Sequence, residues 1–189
     1  MVVAAVLDAC VLYPIGLRDV LLDIAIELGM YRPLWSATIL DEVERNLVKG
    51  GRCTPDQAAG LRKAMTDTFP EAEVSGFEHL MTEMTNHPKD RHVLAAAVAG
   101  EAEIVVTSNL RDFPQEACQA VGIRRMHPDD FLCLARSLNR EVDMIVQGVA
   151  TRYGRHGRPV TYDSLISSLF QPAPKFAAQL LTDAYRGTA

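Results

Sequence analysis

Two short apolar runs constrain this 189-residue chain more than any other feature. Residues 2–7 (VVAAVL) and 104–107 (IVVT) are too short for helices and lack the polar alternation of a strand with one wet face. Runs of this kind are expected of central parallel strands, buried on both faces by flanking helices. Each run gives way at once to polar side chains: Asp8 after the first, and Ser108-Asn109 followed by Asp112 after the second. In open α/β sheets the carboxyl edge of the strands is where ligands bind. The runs therefore predict both a fold class and the edge of the fold that carries chemistry.

The segments between them supply the helices. Val93, Leu94, Ala97 and Val98 share one side of a helix that starts at Asp90 and stops at Gly100, and Asp90 is also a suitable N-cap for it. Residues 16–29 carry Leu17, Val20, Leu21, Ile24, Ala25 and Leu28 at helical spacing before Gly29. A weaker strand at 31–35 leads to a helix at 39–49 capped by Ser36 or Thr38, with Asp41 and Glu42 in its first turn, where acids favour the helix dipole. Thr54-Pro55 opens a helix to about 69. A strand at 73–75, a helix at 77–85 and the turn Asn86-His87-Pro88 then deliver Asp90. A helix at 114–121, Gly122 and a strand at 123–126 complete the alternation. The expectation is an α/β domain over 1–126, a parallel sheet of about five strands covered by helices on both sides. From His127 no strand pattern remains, and helices at 129–137, 139–153, 164–170 and 175–185 form an all-helical extension over 127–189. A basic turn at 153–158 (YGRHGR) reads as a surface loop, with a phosphate contact as the alternative.

Composition narrows the function classes. The net charge of −5 divides unevenly, with 12 basic against 18 acidic residues through Met126 and 7 against 6 beyond it. That excludes bulk electrostatic adhesion to nucleic acid by the first part, yet suits a site that concentrates carboxylates around cations. Cys10, Cys53, Cys118 and Cys133 have no metal-ligand spacing and read as reduced thiols of a cytoplasmic protein. The opening MVVAAVLDAC reads as a first strand and not as a leader, and no apolar run approaches the roughly 20 residues that span a bilayer.

On such a sheet Asp8, Asp90, Asn109 and Asp112 would face the same edge, with Glu42 able to join them. Crowded carboxylates raise one another's pKa values, and a hard divalent cation relieves the conflict. Oxygen-only donors favour Mg²⁺ or Mn²⁺ over zinc. Thr107 can orient a carboxylate or phosphate through its hydroxyl, or simply close its strand. His92, two residues past Asp90, points elsewhere on its helix and reads as a surface histidine.

The blocks LDACVLYP, TILDEVERNL and DRHVLAAAVAGEAEIVVTSNLRDF, in this order, resemble the PIN domain in the form carried by VapC-type toxins of bacterial toxin–antitoxin pairs. The resemblance runs over about 2–126 and is most specific in the third block. It implies a catalytic acidic set of Asp8, Glu42, Asp90 and Asp112, with Asp8, Asp90 and Asp112 as metal ligands and Thr107 and Asn109 in support. Glu42 is preferred to Asp41 because it precedes Val43, as the family's glutamate precedes an aliphatic residue. Two positions depart from the pattern. Cys10 stands where many members have an asparagine, which removes a polar support, and Asn109 stands where many have an acid, leaving Asp112 to supply the charge.

The resemblance implies a Mg²⁺- or Mn²⁺-dependent endoribonuclease in which activated water hydrolyses RNA phosphodiesters, commonly of structured RNA such as tRNA. It also implies a small cognate antitoxin and a homodimer. The alternative is a catalytically impaired PIN-like module that binds RNA or protein. A phosphatase is disfavoured, since Cys10 occupies the place of its second acid.

Overall fold

The computed structural model describes residues 2–155 and 161–186. Five parallel strands, β1 (Val3–Leu7), β2 (Tyr31–Ser36), β3 (Glu73–Val74), β4 (Ile104–Val106) and β5 (Arg124–Met126), lie in the order β3-β2-β1-β4-β5. The two apolar runs are the central neighbours: Leu7 pairs with Val106, and β4 and all of β1 beyond Val3 are buried. Strands hidden on both faces and flanked by helices are what unbroken apolar runs require, so the α/β reading stands. The chain builds β2 and β3 outward from one side of β1 and then crosses to start β4 on the other. The crevice at the carboxyl ends of β1 and β4 is therefore the topological switch point of the sheet.

Most helices follow the sequence pattern, with informative differences. A four-residue helix α1 (Ala9–Leu12) begins directly after Asp8, and α2 spans Ile15–Leu28 with Gly29 left-handed at φ 58°. Helix α3 (Ala37–Lys49) starts at Ser36, whose hydroxyl accepts from Ile39 N at 3.2 Å. Asp41 and Glu42 therefore sit in its second turn, beyond the dipole of the first. Helix α4 (Pro55–Thr68) opens on a reciprocal Thr54–Gln57 capping box. The helix expected at 77–85 is only a 3₁₀ turn at Glu78–Leu80, a short connector of the kind 3₁₀ turns commonly provide. Helix α5 (Arg91–Ala99) ends at Gly100, where close approach rather than a left-handed turn calls for glycine. Its φ is −83°, and a Cβ there would come within 2.8 Å of Val74 Cγ2 and 2.9 Å of Leu34 Cδ1. Helix α6 (Gln115–Ala120) precedes β5.

The chain divides into two compact units that do not follow chain order. One holds the described residues up to Tyr13 together with Tyr31–Met126, and contains the whole sheet. The other gathers Pro14–Met30 with the described residues from His127 onward: α2, α7 (Pro128–Leu138), α8 (Val142–Arg155), α9 (Tyr162–Leu169) and α10 (Pro174–Arg186). Helix α2 packs on α8 and α9. A Cβ at Gly16 would lie 2.9 Å from Ser168 Oγ, and Arg152 pairs with Asp23 at 2.6 Å. Within the same unit, buried Asp129 accepts from the backbone N–H groups of Lys175 and Phe176 at the start of α10, and buried Arg136 holds Asp143 and Asp183. Residues 156–158 of the basic turn lie outside the described residues.

Candidate metal-binding active site

Asp8 leaves β1 at its carboxyl end, 5% exposed, with its backbone N–H still bonded to Val106 O at 3.1 Å. Its side chain does not cap α1. One oxygen, Oδ2, instead accepts from the hydroxyl of fully buried Thr107 at 2.7 Å and from the Cys10 thiol at 3.1 Å. Thr107 Oγ1 in turn accepts from Asn109 N at 3.0 Å, and Cys10 Sγ accepts from Ser108 N at 3.2 Å. Burial, and then the Asp8 charge, pushes the Cys10 thiol up to about 12, so it stays protonated and available as a donor. The expected loss of polar support at Cys10 is thus corrected: a thiol is a weak donor, but here it is aimed at the carboxylate.

Asp90 closes a 3₁₀ turn (Pro88–Asp90) and heads α5, again without a side-chain cap bond. Capping does not account for the acid. Its pKa is raised to about 6, chiefly by desolvation, then by the charges of Asp8, Asp112 and Glu42, with His87 opposing. Three carboxylates from three other segments of the chain are therefore near enough to act on Asp90. Asp112 ends a second 3₁₀ turn (Leu110–Asp112), and its Oδ2 accepts from Asn109 Nδ2 at 2.6 Å. Glu42 reaches the group from α3, whereas neighbouring Asp41 is exposed and turned to Arg62 of α4 at 2.5 Å.

Two histidines were not legible as part of this edge. His87 stands three residues before Asp90, and in a 3₁₀ turn residues i and i+3 eclipse, which brings its Nδ1 to 3.8 Å from Asp90 Oδ2. Donor atoms of His87, Asp90 and Asp112 all lie within 4.8 Å of one another, while Asp8 and Glu42 stand outside this trio. The signal that could have found His87 was its i, i+3 spacing to Asp90 across Pro88. His87 Nδ1 also accepts from Lys89 N at 3.4 Å, capping the turn that ends at Asp90. His92 is not a surface residue: it is buried at 6% exposure, its Nε2 lies 3.4 Å from Glu42 Oε1, and neither ring nitrogen has a hydrogen-bond partner among the described residues. Crowded carboxylates, one of them with its pKa raised by burial and by its neighbours' charges, form a donor set that fits a divalent cation.

A parallel sheet with acids converging at its switch point is the PIN-domain arrangement, and the chain matches the PIN domain over residues 4–111, more than half of its length. The chain belongs to the PIN-domain family. Asp8, Glu42, Asp90, Thr107 and Asn109 lie inside the matched span, and Asp112 is the first residue beyond it. A protein of Mycobacterium tuberculosis (strain ATCC 25618 / H37Rv) that carries the name "Putative ribonuclease VapC50" is 42% identical over 105 residues. That match covers 55% of this chain and 61% of the relative, so the chain spans about three fifths of the length of the protein it resembles. No solved structure matches the chain. The resemblance to VapC-type PIN domains carried by the three sequence blocks is borne out by both matches.

Proposed function

We propose that the chain is a metal-dependent endoribonuclease of the toxin type, hydrolysing phosphodiesters in structured RNA such as tRNA. The observation that carries this reading is that Asp90, its pKa raised to about 6 chiefly by burial, also feels the charges of Asp8, Asp112 and Glu42. Asp8, Asp90 and Asp112 would hold Mg²⁺ or Mn²⁺. Such an ion, when bound, polarises a phosphate and lowers the pKa of a water molecule. Thr107 and Cys10 fix one Asp8 oxygen, which leaves the other free to turn toward the ion. Asn109 fixes Asp112 in the same way, and Glu42 supplies a fourth carboxylate near the reacting groups.

The rival, a PIN-like module that binds without cleaving, rested on Asn109 replacing an acid. The 2.6 Å bond from Asn109 to Asp112 favours the enzyme, because it positions an acid three residues on rather than leaving the charge missing. A small antitoxin is the proposed partner. The acidic balance of the first 126 residues suits a basic segment whose guanidinium pairs bidentately with carboxylates. A homodimer and a shaping role for the helices after residue 126 in partner or RNA binding complete the proposal. A cytoplasmic location fits the four free cysteines, and no described helix is long and apolar enough to cross a membrane.

The test is RNA cleavage by the purified chain. Activity that requires Mg²⁺ or Mn²⁺, stops with chelator and is lost in Asp8→Asn supports the enzyme. RNA binding with no cleavage under any divalent ion supports the rival.

A further inference from the structure

We propose that His92 is a positioning residue for Glu42, its Nε2–H holding that carboxylate in place at the edge it shares with Asp8, Asp90 and Asp112. The inference rests on the metal-dependent nuclease reading above and adds to it the residue that fixes where the fourth acid stands.

His92 is the one polar side chain among the buried residues of α5; the others are Val93, Leu94, Ala95, Ala96 and Ala97. Burying an imidazole among apolar neighbours costs free energy unless a partner answers its polar atoms. Neither ring nitrogen is hydrogen-bonded among the described residues, and the side chain is only 7% exposed. Asp90, two residues earlier, is on the wrong side of the helix to be that partner. The group the ring does meet is Glu42 of α3, whose Oε1 lies 3.4 Å from Nε2.

The chemistry of the pair assigns the tautomer. A carboxylate only accepts hydrogen bonds, so the nitrogen turned to it is the one that carries the proton, which leaves Nδ1 with the lone pair. The separation of 3.4 Å is longer than the roughly 3 Å of a formed N–H···O bond. The two partners differ in freedom, for the imidazole is enclosed while the Glu42 side chain is 31% exposed. The ring is therefore the fixed member and the carboxylate the one that moves to it, as catalytic hydrogen bonds commonly tighten only once substrate is bound. Glu42 already bears on Asp90 through its charge, so a donor fixed at its Oε1 sets the direction from which it acts.

The experiment makes two measurements on the full chain. Nitrogen NMR of the histidine side chains, without metal or substrate and assigned by loss of the signal in His92→Gln, reads the tautomer. The expected result is a proton on Nε2 and an Nε2 resonance that shifts in Glu42→Gln. In divalent-supported RNA cleavage, His92→Leu should lower kcat about tenfold or more with KM unchanged, the usual scale for losing an orienting partner. His92→Gln, which keeps an N–H donor near the Nε2 position, should recover most of that loss. Native cleavage by His92→Leu, equal losses in the Leu and Gln variants, a loss confined to KM, or an Nε2 resonance indifferent to Glu42→Gln overturns the role of His92 and leaves the nuclease reading standing. Should His92→Leu fail to fold, the NMR comparison decides by itself. Absence of any divalent-dependent cleavage by the native chain overturns both.

Discussion

Asp90 pairs a cost with a use. Its folded pKa of about 6 lies above the ordinary 3.8, so between those values the folded chain binds more protons than the unfolded one. Without metal the chain should therefore lose stability as pH rises from about 4 to 6 and stay at the lower level above it. Asp90→Asn removes that charge. It is expected to make the metal-free chain more stable at pH 7, by about 1 kcal/mol once solvent screening is allowed for, while abolishing divalent-ion binding. Thermal melts in chelator and titrations with Mn²⁺ check the two halves separately. In the native chain, ion affinity should fall as pH drops through about 6, where proton and cation compete for the same oxygen. Thr107 offers a second residue-scale test. Thr107→Val keeps the shape and loses the 2.7 Å bond to Asp8, at an expected cost of about 1–2 kcal/mol in denaturant unfolding together with reduced cleavage.

At the scale of elements, helix α3 separates two adjacent acids by 100° of rotation. Glu42 is aimed at the acidic edge and at His92, while Asp41 pairs with Arg62 on α4. Glu42→Gln should lower RNA cleavage by about a hundredfold or more, in the range of a lost positioned acid or base. Asp41→Asn should leave cleavage unchanged and cost less than about 1 kcal/mol, as exposed pairs do. Measuring both variants for turnover and unfolding distinguishes the assignments. This preference for Glu42 could be stated from the sequence only by resemblance, because both acids are equally near the helix start. What separates them physically is the direction of each side chain on a helix that begins two residues earlier than its periodicity indicated, at the Ser36 cap.

On the scale of the whole chain, α2 lies early in the sequence yet packs on α8 and α9, with Leu17, Val20, Leu21 and Ile24 buried. A chain ending at Met126 would keep every candidate site residue but leave α2 without α8 and α9. Such a truncation is expected to be insoluble or to melt well below the full chain, checked by circular dichroism and sedimentation. A stable, monodisperse fragment with full activity would show that α2 needs neither α8 nor α9.

The sequence by itself determined the two buried central strands, the parallel α/β class, and the positions of Asp8 and Asp90, since unbroken apolar runs and the polar residues that end them are local signals. It also carried the family likeness in blocks that the PIN-domain match covers except for the last two residues of the third. Only the tertiary structure decided what joins those positions. Thr107 meets Asp8 across 99 residues of chain, His87 reaches Asp112 through a backbone bond between separate turns, and the Cys10 thiol becomes a donor because desolvation keeps its proton on. Periodicity reports which face of an element is apolar. It carries no information about which side chains from distant elements share a crevice, and that sharing is what sets the local charge and the proton affinity of Asp90.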